Sequence, residues 1–130
     1  MKFIGLNGKE YKLDTRRSSY PMRTEASSPS KIQYACSQIL REKFPVSTIL
    51  EEVTLPGHKL RLDFFIPDLK LVIEVNGEQH KEYNTFFYKT RRAFLDAQAR
   101  DSDKASLCEM NNWTLMTVET IDDLKELLNG

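Results

Sequence analysis

The sequence predicts a single α/β domain, on three observations. Ile32, Ala35, Cys36, Ile39, Leu40 and Phe44 recur at helical spacing, residues 49–75 hold three strand-like runs, and residues 101–128 return to helix, strand and helix. A chain of 130 residues suits one domain and buries a core without staples.

The elements follow in order. Residues 14–30 are rich in Ser, Thr, Arg and Pro and predict an extended arm. Ser28 or Ser30 caps the first helix and Pro45 stops it. The first strand spans 49–55 and ends at the Pro56-Gly57 turn. The second spans 59–66, where Leu60, Leu62, Phe64 and Ile66 alternate with Arg61, Asp63 and Phe65. Pro67-Asp68 turns the chain into a third strand over 70–75, whose run Leu71-Val72-Ile73 predicts burial on both faces. Residues 78–88 predict a loop. Two helices are expected near 88–99 and 101–111, then a strand at 113–118 and a last helix capped by Thr120.

Composition is that of an ordinary globular chain, 40% apolar and 29% charged. No apolar run reaches the roughly 20 residues of a membrane span, so no membrane is expected as partner. The first residues soon turn polar and do not read as a signal peptide. Cys36 and Cys108 lack metal-type spacing and read as reduced, buried thiols of an intracellular protein. Net charge is zero but uneven: residues 1–31 carry seven Lys/Arg against three acids, and the remainder twelve against sixteen. The chain thus divides into a basic N-terminal arm, 1–27, and a folded domain, 28–130. Arg16, Arg17 and Arg23 of the arm are candidate contacts for a polyanion.

The chemistry concentrates between Arg61 and His80. Asp63 lies mid-strand among apolar residues, and Glu74 follows three apolar residues in the next strand. A carboxylate in such a setting is costly unless its charge is offset. A short turn makes the two strands antiparallel neighbours, and two carboxylates brought together repel unless a cation joins them. A hard divalent ion held by Asp63 and Glu74 meets that need. Gln79 and His80 come just after the strand, where Gly77 permits a tight turn and His80 is placed to act as acid, base or phosphate donor. Beyond them Lys81, Lys89, Arg91, Arg92, Arg100 and Lys104 are interleaved with Tyr83, Phe86, Phe87 and Tyr88, a pattern suited to phosphate contacts.

Three motifs in order carry a resemblance: Leu62-Asp63-Phe64; Glu74-Val75-Asn76-Gly77-Glu78-Gln79-His80; and Arg100-Asp101 leading through a helix to Trp113. Over roughly residues 28–118 the chain resembles the PD-(D/E)xK, or restriction-endonuclease-like, superfamily. Its branch of very-short-patch mismatch-repair endonucleases and EDxHD phage homing endonucleases is the closer likeness. The resemblance implies a mixed four-stranded sheet flanked by helices, with 28–130 as the nuclease domain. It implies phosphodiester hydrolysis on double-stranded DNA with Mg²⁺, or Mn²⁺ in its place. The site residues would be Asp63, Glu74, Gln79, His80, Asp101 and Gln33, with Lys81, Arg91, Arg92 and Lys104 on DNA. A phage-type free-standing homing endonuclease, intracellular in a bacterial host, is the expected identity, and a homodimer is one route to double-strand cutting.

Two positions depart from the pattern. Asn76 stands where the superfamily has Lys, so Gln79 or His80 would take over that work, and the first helix offers Gln33 in place of an acid. These departures support one alternative, a catalytically degenerate DNA-binding module of the same fold; a second, a mismatch-repair nicking enzyme, shares the chemistry and differs only in substrate. For Asp101, capping of a helix start is the competing role.

Overall fold

A computed structural model describes residues 1–76 and 91–129, with the Phe94 side chain left out. Gln79, His80 and Lys81 therefore lie outside the described residues.

The first two strands, β1 (Lys2–Ile4) and β2 (Glu10–Lys12), form an antiparallel hairpin pairing Phe3 with Tyr11. The chain then runs through α1 (Lys31–Lys43), β3 (Leu50–Thr54), β4 (Arg61–Ile66) and β5 (Leu71–Val75). It ends with α2 (Arg91–Met110), β6 (Thr114–Val118) and α3 (Ile121–Asn129). Ser30 caps α1 by accepting the Gln33 N–H, and Thr120 accepts the Asp123 N–H at the start of α3.

The main sheet has the order β3-β4-β5-β6 and is mixed. β3, β4 and β5 form an antiparallel meander, and β6 lies parallel to β5. A parallel neighbour requires a crossover, which the segment containing α2 provides. One face carries α1 and α3, with Cys36, Leu40 and Leu124 packed on Phe64, Ile66 and Ile73. The other carries α2 and the hairpin, with Phe3, Leu13, Leu107 and Trp113 packed on Phe65 and Val72. Leu71-Val72-Ile73 divides between these two clusters, as expected for a strand covered on both sides. No helix among the described residues is long and apolar enough to cross a membrane.

Two elements differ from expectation. The segment read as an arm begins with the hairpin, whose Phe3 and Leu13 are fully buried. Asn111 fastens it through both the N–H and the C=O of Ile4, at 2.7 and 2.9 Å, and His58 accepts the Leu6 N–H. His58 is accordingly half-buried against Phe3 and Tyr11. The two helices expected before β6 are one, running unbroken from Arg91 to Met110. Arg100-Asp101-Ser102-Asp103 has the composition of a helix start but lies mid-helix, so Asp101 caps nothing.

Candidate active site

The register of the sheet aligns three acids. Phe64 pairs with Ile73, so the next position sets Asp63 opposite Glu74. Glu51 pairs with Phe64 and Val53 with Leu62, which sets Glu52 on the other side of Asp63. Glu52, Asp63 and Glu74 thus form a row across β3, β4 and β5. Glu52 and Glu74 are buried, and Asp63 is half-buried.

The carboxylates of Asp63 and Glu74 carry on the hydrogen bonding where the ladder stops. Glu74 Oε2 accepts the Asp63 N–H at 2.7 Å, and Asp63 Oδ2 accepts the Val75 N–H at 2.8 Å. Each side chain is thereby fixed by its neighbour's backbone. Burial, then the Glu74 charge, pushes the Asp63 carboxyl up to about 7. Burial also raises Glu74, while Lys104 draws it back down.

Lys104 is the cation of the site. Its ammonium donates to Glu74 Oε1, and its side chain is only 16% exposed. It was expected as a DNA contact on an open helix face; the structure instead turns it inward onto the acid. Glu52 is balanced by Arg61, whose Nε lies 2.7 Å from Oε2. Among the described residues Asp63 forms no ion pair. The row therefore holds three carboxylates against two protein cations.

The other expected residues fall as follows. Gln33 is buried, and its amide donates to Glu51 Oε2 at 2.8 Å and to Glu52 Oε1 at 3.4 Å. It supports the β3 acids rather than touching Asp63 or Glu74. Asp101 is half-buried in α2, and its charge raises Glu74. Arg16 is engaged by Asp14 at 2.8 Å, Arg17 donates to the Ser47 carbonyl, and the Arg23 N–H is held by Glu51. Arg91 and Arg92 are exposed at the start of α2, where Arg92 meets Asp96. Glu51, Glu52, Arg61 and the inward role of Lys104 were not anticipated. The signal for the first two was present, since two successive acids in the apolar run Ile49-Leu50-Glu51-Glu52-Val53 cannot both face water on a regular strand.

Beside Asp63 lies a cleft of about 400 Å³ whose walls also include Lys59, Arg61, Arg100 and Lys104. Two of these four cations, Arg61 and Lys104, are paired with Glu52 and Glu74. Among the described residues no group of three or more His, Cys, Asp and Glu side chains is arranged to share a metal ion. Asp63 and Glu74 offer two carboxylates, the number with which Mg²⁺ is commonly held when water and substrate phosphate supply the rest. Their donor set and surplus charge fit a hard divalent cation.

No protein-family model and no solved structure matches the chain. The chain is similar to two proteins of invertebrate viruses. It is 40% identical over 70 residues to uncharacterized protein 307L of Invertebrate iridescent virus 6, which covers 53% of this chain and 36% of that one. It is 36% identical over 64 residues to uncharacterized protein 033L of Invertebrate iridescent virus 3, which covers 49% and 33%. The match thus spans about a third of the length of each relative.

Proposed function

We propose that this protein is a metal-dependent DNA endonuclease of the restriction-endonuclease-like kind, with Asp63 and Glu74 as its metal-holding pair. The observation that carries the reading is a row of acids whose middle member, Asp63, has no ion-pair partner among the described residues and opens onto a cleft lined by Lys59, Arg61, Arg100 and Lys104. Buried carboxylates at a cationic opening suit a substrate that is itself an anion and brings oxygen ligands with it.

Each group then has a physical task. Asp63 and Glu74 would hold Mg²⁺ or Mn²⁺, which when bound polarises a phosphate and acidifies water. The bonds from the Asp63 N–H to Glu74 and from the Val75 N–H to Asp63 hold both acids in place before any ligand arrives. Lys104 supplies the positive charge that the superfamily motif carries at the place of Asn76, delivered from α2 instead of from β5. Gln33 keeps Glu51 and Glu52 hydrogen-bonded under the site. Gln79 and His80, five and six residues beyond Glu74, remain the proposed water-orienting and proton-transferring groups. Double-stranded DNA is the proposed partner, with a homodimer as the means of cutting both strands.

Plasmid DNA incubated with the protein and Mg²⁺ or Mn²⁺ should be cleaved, and chelation should stop it. Asp63→Ala or Glu74→Ala should abolish cleavage while circular dichroism reports a retained fold. Wild-type cleavage by either variant would sink the site. One observation favours a second reading, a DNA-binding module without activity: Lys104 occupies the Glu74 oxygen that a metal would use, and Gln33 stands in for an acid. Duplex binding without cleavage under any divalent metal would select that reading.

A further inference from the structure

We propose that Arg61 is a phosphate-gripping residue of this cleft and that Glu52 is its positioning residue. The inference rests on the reading of the cleft as a site for duplex DNA, and assigns a task to two residues the motifs do not include.

Arg61 begins β4 two positions before Asp63. Both line the same cleft. The Arg61 side chain is 64% exposed, yet its inner nitrogen Nε is held 2.7 Å from a carboxylate that is itself 7% exposed. A guanidinium carries five N–H donors in a rigid fork. With Nε committed to Glu52, the terminal Nη groups make no hydrogen bond among the described residues. A fork pinned at its base and open at its tips is the arrangement suited to bidentate capture of a phosphate.

Glu52 is built for that task at a local cost. Its backbone lies in the left-handed region, φ 55°, inside a strand, where a side chain is strained by about 1–3 kcal/mol. The register of β3 with β4 runs through it without a slip, so no inserted residue accounts for the kink. Gln33 holds Oε1, while Oε2 accepts no hydrogen bond and meets only the Arg61 charge. A buried acid kept at a strained position, with one oxygen reserved for an exposed arginine, holds that arginine still. An Arg61 serving only to neutralise Glu52 would gain nothing from projecting its terminal nitrogens into the cleft.

The test is binding of a short DNA duplex with Ca²⁺ present, followed by fluorescence anisotropy across a salt series. Arg61→Ala should weaken binding by about tenfold or more and lower the log–log salt slope by about 0.9, the loss of one phosphate contact. Arg61→Lys, which keeps the charge without the fork, should recover less than half of the lost affinity. Glu52→Gln should weaken binding less than Arg61→Ala, and the double variant should be no weaker than Arg61→Ala alone, because Glu52 acts through Arg61. Unchanged affinity and slope in Arg61→Ala, full recovery by lysine, or additive losses in the double variant would each overturn the proposal. Arg61→Lys keeps it falsifiable if Glu52→Gln fails to fold. The nuclease reading fails separately, if wild-type protein binds duplex with the Arg61 pattern above but never cleaves it. Absence of any duplex binding by wild-type protein would overturn both.

Discussion

Asp63→Asn should stabilise the metal-free fold at neutral and alkaline pH while removing activity. Burial and the Glu74 charge push the Asp63 carboxyl from 3.8 to about 7. A carboxyl whose folded value is raised favours the fold below its unfolded value, and that contribution is lost as pH climbs to the folded one. Wild-type stability owed to Asp63 therefore falls between about pH 4 and pH 7 and is flat above. A gap of roughly 3 units at about 1.36 kcal/mol each sets a ceiling near 4 kcal/mol on the cost of the ionised side chain. Asn keeps the acceptor for the Val75 N–H but buries an amide N–H₂ that needs a partner, which returns about 1–3 kcal/mol. The net gain is about 1–3 kcal/mol at pH 8, or roughly 4–12 °C in Tm at about 4 °C per kcal/mol. Thermal unfolding of wild type and variant in EDTA at pH 4.5 and pH 8 reads both the sign and the window. At the lower pH only about 1 kcal/mol of that cost is present while the amide cost remains, so the variant should equal wild type or be up to about 2 kcal/mol less stable; the gain should appear at the higher pH. Saturating Mg²⁺ should close it by raising the wild type alone. A variant equal to or less stable than wild type at pH 8 would refute the reasoning.

Lys104→Gln should act in the opposite sense. It strips the counter-charge from buried Glu74, costing about 3–5 kcal/mol at pH 8 and progressively less as pH falls, because burial favours protonation of Glu74; melts across a pH series check it, and a loss independent of pH would exclude the pair as its cause. Phe3→Ala should cost about 3–5 kcal/mol, because that ring is buried against Trp113; an unchanged Tm would mean the N-terminal hairpin contributes nothing to the core. Cleavage at limiting Mg²⁺ should rise with pH and level off above about 7, since the proton on Asp63 competes with the cation; a flat profile from pH 5.5 to 8 would remove Asp63 from the metal-holding pair.

The meander was legible because its strands carry both signals at once: period-two alternation in 60–66, and turn residues at Pro56-Gly57 and Pro67-Asp68. Asp63 and Glu74 stood out for the same reason, as charges set against an apolar pattern. The hairpin was not legible. Its strands are three residues long, and Phe3 and Leu13 lie ten residues apart with a largely polar stretch between, so no period shows. Helix α2 was split because Ala97, Arg100, Asp101, Lys104, Leu107 and Cys108 recur at helical spacing but change from polar to apolar along the way. That inner face has to be charged where it passes Glu74 and apolar where it reaches the core. The bond from Lys104 to Glu74 was not legible on the same ground, since a lysine in a polar stretch carries no mark of its partner 30 residues earlier. Glu52 is legible only as one of two successive acids in an apolar run, and its left-handed backbone, φ 55°, carries no mark in the sequence.

The charge count across the sheet ties these residues to one another. Glu52 is answered from within its own strand pair, by Arg61. Glu74 is answered from a different element, by Lys104, and that helix is fastened by Leu107 and Cys108 one turn further on. Charge balance at the site therefore depends on tertiary docking of α2, not on a motif read along one strand. The cation that meets Glu74 comes from 30 residues further along the chain. Asp63 sits between the two answered acids with no ion pair among the described residues, fixed by the Val75 N–H at 2.8 Å. Replacing a buried charged cluster by apolar side chains of similar size is often neutral or favourable for stability. What the row provides is a rigidly held carboxyl, pushed up to about 7, that opens onto a cationic cleft; in the proposed function a divalent cation arriving with an anion would displace its proton.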